Sequence, residues 1–352
     1  MREAARRTEC LNNLRQVGLA AINYESAHMH FPTAGTTLNV WASTPADLWG
    51  GGSGRAPGNQ ENWSQLWQIL PFIEQGNIVP IREGYLGWAP QTGLGDVRDM
   101  AGQGLSIPPY ICPSRGARSN LSITDNLETI LADYAGFMGS VPYYDDLDGS
   151  QEAAIGGNIR SSTGNSFEWD PDAPSPPGER NFLNVGIIAK GGHGREDAAG
   201  ATSNPFSRYG FVDYGGVTDG SSNTILMGEA SVQAQEYSPV INAEQWQLAH
   251  AHFGFWVASG WPNMRTVNRA GLIPDSAVRS ESGADPYQDY EEDEAGGIFY
   301  RAEKSFGSAH PGTVNFVLGD GSTHAVSQTT NSNVLNQLGI RNDGSVVNIT
   351  EL

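Results

Sequence analysis

The sequence predicts an α+β fold in which one long N-terminal helix packs on an antiparallel β-sheet, with large loop insertions on the outside. Three observations carry this. Residues 2–30 contain no proline and a single glycine, Gly18, with apolar side chains at helical spacing. The last half of the chain instead shows short apolar runs separated by turn clusters. The 352 residues include 44 glycines and 20 prolines, a loop-rich composition, while a charged fraction of 17% is too low for a disordered polyelectrolyte.

In the first element Leu11, Leu14, Val17, Gly18, Ala21, Ile22 and Tyr24 recur at i, i+3 and i+4, and Pro32 ends the helix. Its start is unusual. No Ser, Thr, Asp or Asn precedes Arg2 as a cap. Arg2, Arg6 and Arg7 also place positive charge at the positive end of the helix dipole, where acids are favoured. The expectation is a helix that continues upstream of Met1.

Residues 34–61 follow as a loop rich in Gly, Ser, Thr and Pro, with Trp41 and Trp49 inside. A second apolar helix is expected over Trp63, Leu66, Trp67, Ile69 and Leu70, bent by Pro71 ahead of Phe72 and Ile73. After a further Gly/Pro-rich stretch, 84–109, the run Tyr110-Ile111-Cys112-Pro113-Ser114 is short, apolar and stopped by proline. Residues 133–137 read as a small strand. Residues 145–181, with Pro171, Pro174, Pro176 and Pro177, form a long polar insertion of the kind that usually carries function or moves.

In the last half, the turn cluster 217–223 leads into a strand at 224–227, and 253–261 and 298–301 are further strand candidates. The clearest hairpin runs out through Val314, Phe316 and Leu318, reverses at Gly319-Asp320-Gly321, and returns through His324, Ala325 and Val326. Asp320, like His310 ahead of Pro311-Gly312, reads as a turn former. Residues 331–338 make a short helix with Val334, Leu335 and Leu338 on one side.

The chemistry readable from the sequence is sparse. A net charge of −19, from 20 basic and 39 acidic residues, argues against non-specific nucleic-acid binding. No run of 18 apolar residues is present to span a membrane. The sequence holds no G-x-S-x-G elbow, P-loop, H-E-x-x-H or strand-borne dinucleotide fingerprint, so an enzyme is not expected. Ser308 and His310 carry no motif that would make a nucleophile relay. His250 and His252 would share one face of a strand and reach a zinc ion with His193 or His310, but their spacing is weak.

Cys10 and Cys112 are too few for a disulfide scaffold or a zinc cage, and they form no C-x-x-C pair. They read either as one bridge, closing a loop of about 100 residues, or as two buried free thiols. Asp145, Asp146 and Asp148, next to Gly149, offer the several hard oxygens that suit calcium, without the distal Glu of an EF-hand loop. No other cofactor is expected. The acidic run at 285–294 reads as a solvated face. Trp41, Trp49, Trp88 and Trp169 sit in Gly/Pro-rich loops, where flat aromatics beside polar groups can stack on sugar rings.

Several blocks taken together resemble a large bacterial family of pilin-like proteins. The first is Arg2-Glu3-Ala4-Ala5-Arg6-Arg7 leading into Cys10 through Ala20, with Asn23-Tyr24 and Phe31-Pro32. Leu70 through Gln75 and Ile111-Cys112-Pro113-Ser114 continue it, then Thr218 through Thr224 with Gly228-Glu229, Ser308 through Gly312, and Gly319-Asp320-Gly321-Ser322. The blocks keep the family's order and span nearly the whole chain, whereas 34–61, 145–210 and 231–295 match nothing in particular.

Members of that family carry a prepilin-type cleavage and methylation segment ahead of an apolar half-helix, and neither is present in these residues. The resemblance implies a type IV pilin-like fold: residues 1–33 as the amphipathic C-terminal half of the pilin helix, and 34–352 as a globular α+β domain with variable insertions at 34–61, 145–210 and 231–295. It implies a Cys10–Cys112 disulfide, since the family pattern carries both cysteines. The expected role is a non-enzymatic, pseudopilin-like structural subunit of a type IV pilus-like or type II secretion-like envelope assembly. Its partners would be other pilin-like subunits or secretion machinery, and the inner membrane through the upstream helix. The globular domain would lie in the periplasm or at the cell surface. The alternative expectation is a cell-surface binding module for glycan or another extracellular ligand on the same scaffold.

Overall fold

The computed structural model describes residues 2–34, 64–76, 107–116, 120–123, 127–130, 132–140, 186–189, 211–232, 237, 264–267, 271–277, 290–292, 298–300, 306–349 and 352. Helix α1 is Arg2–His28. Its buried face is Cys10, Leu14, Val17, Gly18, Ala20, Ala21 and Tyr24, close to the stripe that the sequence spacing marks. The turns ahead of Cys10 are exposed or half-buried. The helix stops two residues earlier than its proline-free run allows. Met29 turns left-handed, φ 64°, and its N–H donates to Glu25 O at 2.6 Å, closing the last turn. The N–H groups of Phe31 and Ala34 then donate to the carbonyls of Val212 and Ala189, which ties the exit to two distant segments.

The second helix is shorter than expected. Helix α2, Gln65–Gln68, is a single turn capped by Ser64, whose Oγ accepts from the Trp67 N–H at 3.3 Å. A 3-10 turn at Leu70–Ile73 follows, because Pro71 has no N–H to extend an α-helical ladder.

The strands are β1 (Asn120–Ile123), β2 (Leu127–Ile130), β3 (Tyr134–Ser140), β4 (Ile225–Glu229), β5 (Met264–Val267), β6 (Ile273–Pro274), β7 (Tyr290–Glu292), β8 (Ile298–Tyr300), β9 (Gly307–Ser308), β10 (Thr313–Leu318) and β11 (Thr323–Ser327). The main sheet has the order β11-β10-β4-β3-β5. Its pairs are antiparallel except β3 with β5, which run parallel. The expected helix-on-antiparallel-sheet arrangement is therefore present, with one parallel edge that the sequence does not announce. That edge strand and β6 come from the 231–295 segment, so part of an expected insertion builds the scaffold. The candidate strand at 253–261 lies outside the described residues.

The sheet is covered on both faces. On one side α1, Leu66, Trp67, Tyr110, Ile188, Met227 and Val317 form a core. On the other, Val314, Phe316 and Leu318 alternate away from α1 to meet Phe306, Leu335 and Leu338. The last two lie on helix α3, Ser332–Gly339, whose N-cap Asn331 accepts from the Asn333 N–H at 2.8 Å. The β10–β11 hairpin pairs Val314 with Val326 and Phe316 with His324. Asp320 Oδ1 accepts from the Ser322 N–H at 2.9 Å and its hydroxyl at 2.7 Å, the turn role read from the sequence.

Two substitutions test this packing. A Cβ on Gly18 would meet Val317 Cγ2 at 2.4 Å, so the helix backbone lies against β10 at glycine distance. Gly18→Leu is expected to destabilise by about 1–3 kcal/mol, despite better helix propensity, because the sheet cannot retreat. Chemical denaturation would read this; an unchanged midpoint would mean that α1 does not seat here. Asp320→Ala should cost only about 1 kcal/mol, the worth of an exposed turn cap, with the fold retained by circular dichroism.

Candidate functional site

The main polar feature among the described residues is a buried cluster where α1 crosses the sheet. Four segments meet there. Cys10 is the first fully buried residue of α1. Cys112 precedes the 3-10 turn Pro113–Arg115, and its N–H donates to Asp133 Oδ2 at 2.7 Å. Glu229 ends β4, and its Oε2 accepts from the Asn315 N–H of β10 at 2.9 Å. His310 sits in the turn from β9 to β10, held by its own N–H donating to Ser308 Oγ at 3.0 Å.

The side chains of all four point at a common centre. One sulfur, oxygen or nitrogen from each lies within 4.8 Å of the others, and all four residues are buried. The Cys10 and Cys112 sulfurs are 2.7 Å apart, as two free thiols. His310 Nε2 lies 3.6 Å from Cys112 Sγ and 3.2 Å from Glu229 Oε1. Apart from that contact with His310, the oxygen has no hydrogen-bond partner among the described residues. The other ring nitrogen, Nδ1, is 2.6 Å from Glu3 Oε1, and Glu3 also accepts from Ser114 Oγ at 3.0 Å. Such a Cys/Glu/His set could hold a metal ion.

The electrostatics follow from burial. Desolvation alone would lower the His310 pKa, but hydrogen bonding to Cys112, Glu229 and Glu3, with the Glu229 charge, pushes it up to about 10. Burial works against the Glu3 charge, yet bonds to His310 and Ser114 hold its pKa below the usual value. The Cys112 thiol is driven well up, first by its contact with Cys10 and then by burial. The order carboxyl, imidazole, thiol resembles a nucleophile relay, but a nucleophilic cysteine needs a depressed pKa and access to solvent. Cys112 has neither.

A second buried cluster adjoins the first through Asp133. Arg115 is fully buried, with Nε donating to Asp275 Oδ2 at 2.7 Å and Nη1 lying 3.1 Å from Asp133 Oδ1. Its Nη2 donates to the carbonyl of Ala230 and, at 3.2 Å, to Asp275 Oδ1. Asp275 also accepts from the Val232 N–H at 3.0 Å and the Tyr237 hydroxyl at 2.6 Å. Nη2 also reaches the Gly307 carbonyl at 3.4 Å, so one guanidinium joins the ends of β3, β4, β6 and β9.

The structure brings Cys10 and Cys112 together. Asp145, Asp146 and Asp148 lie outside the described residues, as do Trp41, Trp49, Trp88 and Trp169, and His193, His250 and His252. Calcium is not indicated, because the cluster that forms offers sulfur and nitrogen rather than an all-oxygen shell. His310 is more than a turn former: its imidazole is the buried hub. Sequence reasoning passed over Glu3, Glu229, Arg115, Asp133 and Asp275. A signal existed for the four central groups. Cys10, Cys112, Glu229 and His310 all fall in the blocks that carry the pilin resemblance, while the aspartates and tryptophans fall outside them. Among the described residues no helix is long and apolar enough to cross a membrane.

The family profile described as "Protein of unknown function (DUF1559)" matches residues 1–333, and the chain belongs to that family. No curated protein and no solved structure matches the chain.

Arg115→Met leaves two buried carboxylates facing each other without their cation. The expected loss is about 3–5 kcal/mol, read as a lower denaturation midpoint. A loss below about 1 kcal/mol would mean that the guanidinium is not the tie between these strands.

Proposed function

We propose that this member of the DUF1559 family is a non-enzymatic structural subunit, pilin-like in architecture, of a type IV pilus-like or type II secretion-like envelope assembly. The observation that carries the reading is the seating of α1. A 27-residue helix lies along one face of the sheet, buried on one side from Cys10 to Tyr24, with its first turns exposed or half-buried. Apart from Glu3, which meets His310 and Ser114, that leaves the outer side of the N-terminal turns for contact with neighbouring helices. The close approach of Cys10 and Cys112, which links the helix to the domain, supports a structural part for the two cysteines.

The reading places the globular domain outside the cytoplasm, anchored at the inner membrane through a prepilin-type helix as the resemblance implies. Its partners are other pilin-like subunits or the secretion machinery. In that compartment dithiol oxidants can join Cys10 and Cys112 as a disulfide, fastening the helix to the domain.

Cell fractionation of the native gene product tests this. The expected result is a membrane-bound protein that external protease reaches in spheroplasts, and that cross-links through α1 to pilin-like subunits. A chain recovered free in the cytoplasm, with no such cross-link, overturns the reading.

A further inference from the structure

We propose that Cys10, Cys112, Glu229 and His310, in the dithiol form of the protein, are the four ligands of a closed structural site for one zinc-type divalent ion. The inference stands on the geometry of the cluster and does not depend on the assembly role.

The spacing is the first argument. Tetrahedral coordination, with Zn–S of ~2.3 Å and Zn–N or Zn–O of ~2.0–2.1 Å, sets ligand edges of roughly 3.6 Å for sulfur to nitrogen and 3.3 Å for nitrogen to oxygen. Cys112 Sγ to His310 Nε2 is 3.6 Å, and His310 Nε2 to Glu229 Oε1 is 3.2 Å. The sulfurs, at 2.7 Å, sit closer than ligands do. They would need to part by about 1 Å to reach a sulfur–sulfur edge of roughly 3.8 Å. An ion entering between the sulfurs displaces the thiol protons and holds the sulfurs at that wider edge.

The support around the ligands is the second argument. His310 Nδ1 meets Glu3 Oε1 at 2.6 Å, the carboxylate–histidine arrangement that fixes the tautomer and aims Nε2 at a metal. Glu229 Oε2 is pinned by the Asn315 N–H, which leaves Oε1, buried and 3.2 Å from His310 Nε2, facing the centre. Cys112 is pinned through its backbone N–H to Asp133. Two sulfurs, one imidazole and one carboxyl oxygen select a borderline-soft tetrahedral ion over calcium or magnesium. All four positions come from the protein, so the site is structural and has no open place for a substrate. On binding, the thiol protons and any proton on Nε2 leave to solvent, and the ion takes their place. A disulfide has no thiolates to give, so ion and bridge are alternative closures of one pocket.

The test uses the full chain, reduced with a phosphine and freed of metal by chelation, titrated with cobalt(II) as spectroscopic probe. The expected result is saturation at one equivalent, with a thiolate-to-cobalt charge-transfer band and the intense visible bands of a tetrahedral site, all displaced by zinc. Cys112→Ser should lose the charge-transfer intensity contributed by that sulfur. Glu3→Gln, on a partly exposed helical turn, should fold normally and keep the spectrum while weakening zinc by about 10–100-fold. A reduced, folded chain with two titratable thiols and no charge-transfer band overturns the proposal. So does a band unchanged in Cys112→Ser, or a reduced chain that stays unfolded after one equivalent of zinc is added.

Discussion

The structure depends on how closely α1 lies on β10. At Gly18 the helix backbone has no room for even one methyl group beside Val317. A helix that close to a sheet buries whatever it carries on its inner face, polar or not. Toward its C-terminal end that face is Val17, Ala20, Ala21 and Tyr24, and burial is favourable at roughly 25 cal/mol per Å² of apolar area. Toward its N-terminal end the same contact encloses Cys10 and brings Glu3 to His310. The polar cluster is thus a direct result of the helix–sheet approach.

Enclosing ionisable groups is costly unless each is paired and hydrogen-bonded. The two clusters meet that demand jointly. Asp133 serves both, one oxygen on the Cys112 N–H and the other beside Arg115. His310 lies between Glu3 and Glu229, a basic group placed between two acids. Because the ties run from α1 and the Pro113 turn to β3, β4, β6 and β9, they set the relative positions of elements far apart in sequence.

Much of the fold was legible because its signals are local. The helical stripe from Leu14 to Tyr24, the alternation of Val314, Phe316 and Leu318, and the turn at Asp320 each follow from a few neighbouring residues and the period of one element. The parallel β3–β5 edge was not legible. A parallel partner needs a long crossover, and nothing in the residues Met264 to Val267 names the strand they will meet. Helical spacing at Trp63, Leu66, Trp67, Ile69 and Leu70 predicts more helix than the single turn Gln65–Gln68, because Pro71 stops the α-helical ladder instead of bending it.

The site divides in the same way. Sequence by itself determined that the chain carries two cysteines, a net charge of −19 and none of the short catalytic motifs G-x-S-x-G, P-loop and H-E-x-x-H. These are matters of residue type and short spacing. Only tertiary structure decided that Cys10, Cys112, Glu229 and His310 converge within 4.8 Å, and that Arg115 lies between Asp133 and Asp275. His310 is 307 positions from the Glu3 it meets, and no periodicity reaches that far. Such contacts are fixed by which faces are buried against one another, a property of the packed chain as a whole and not of any segment within it.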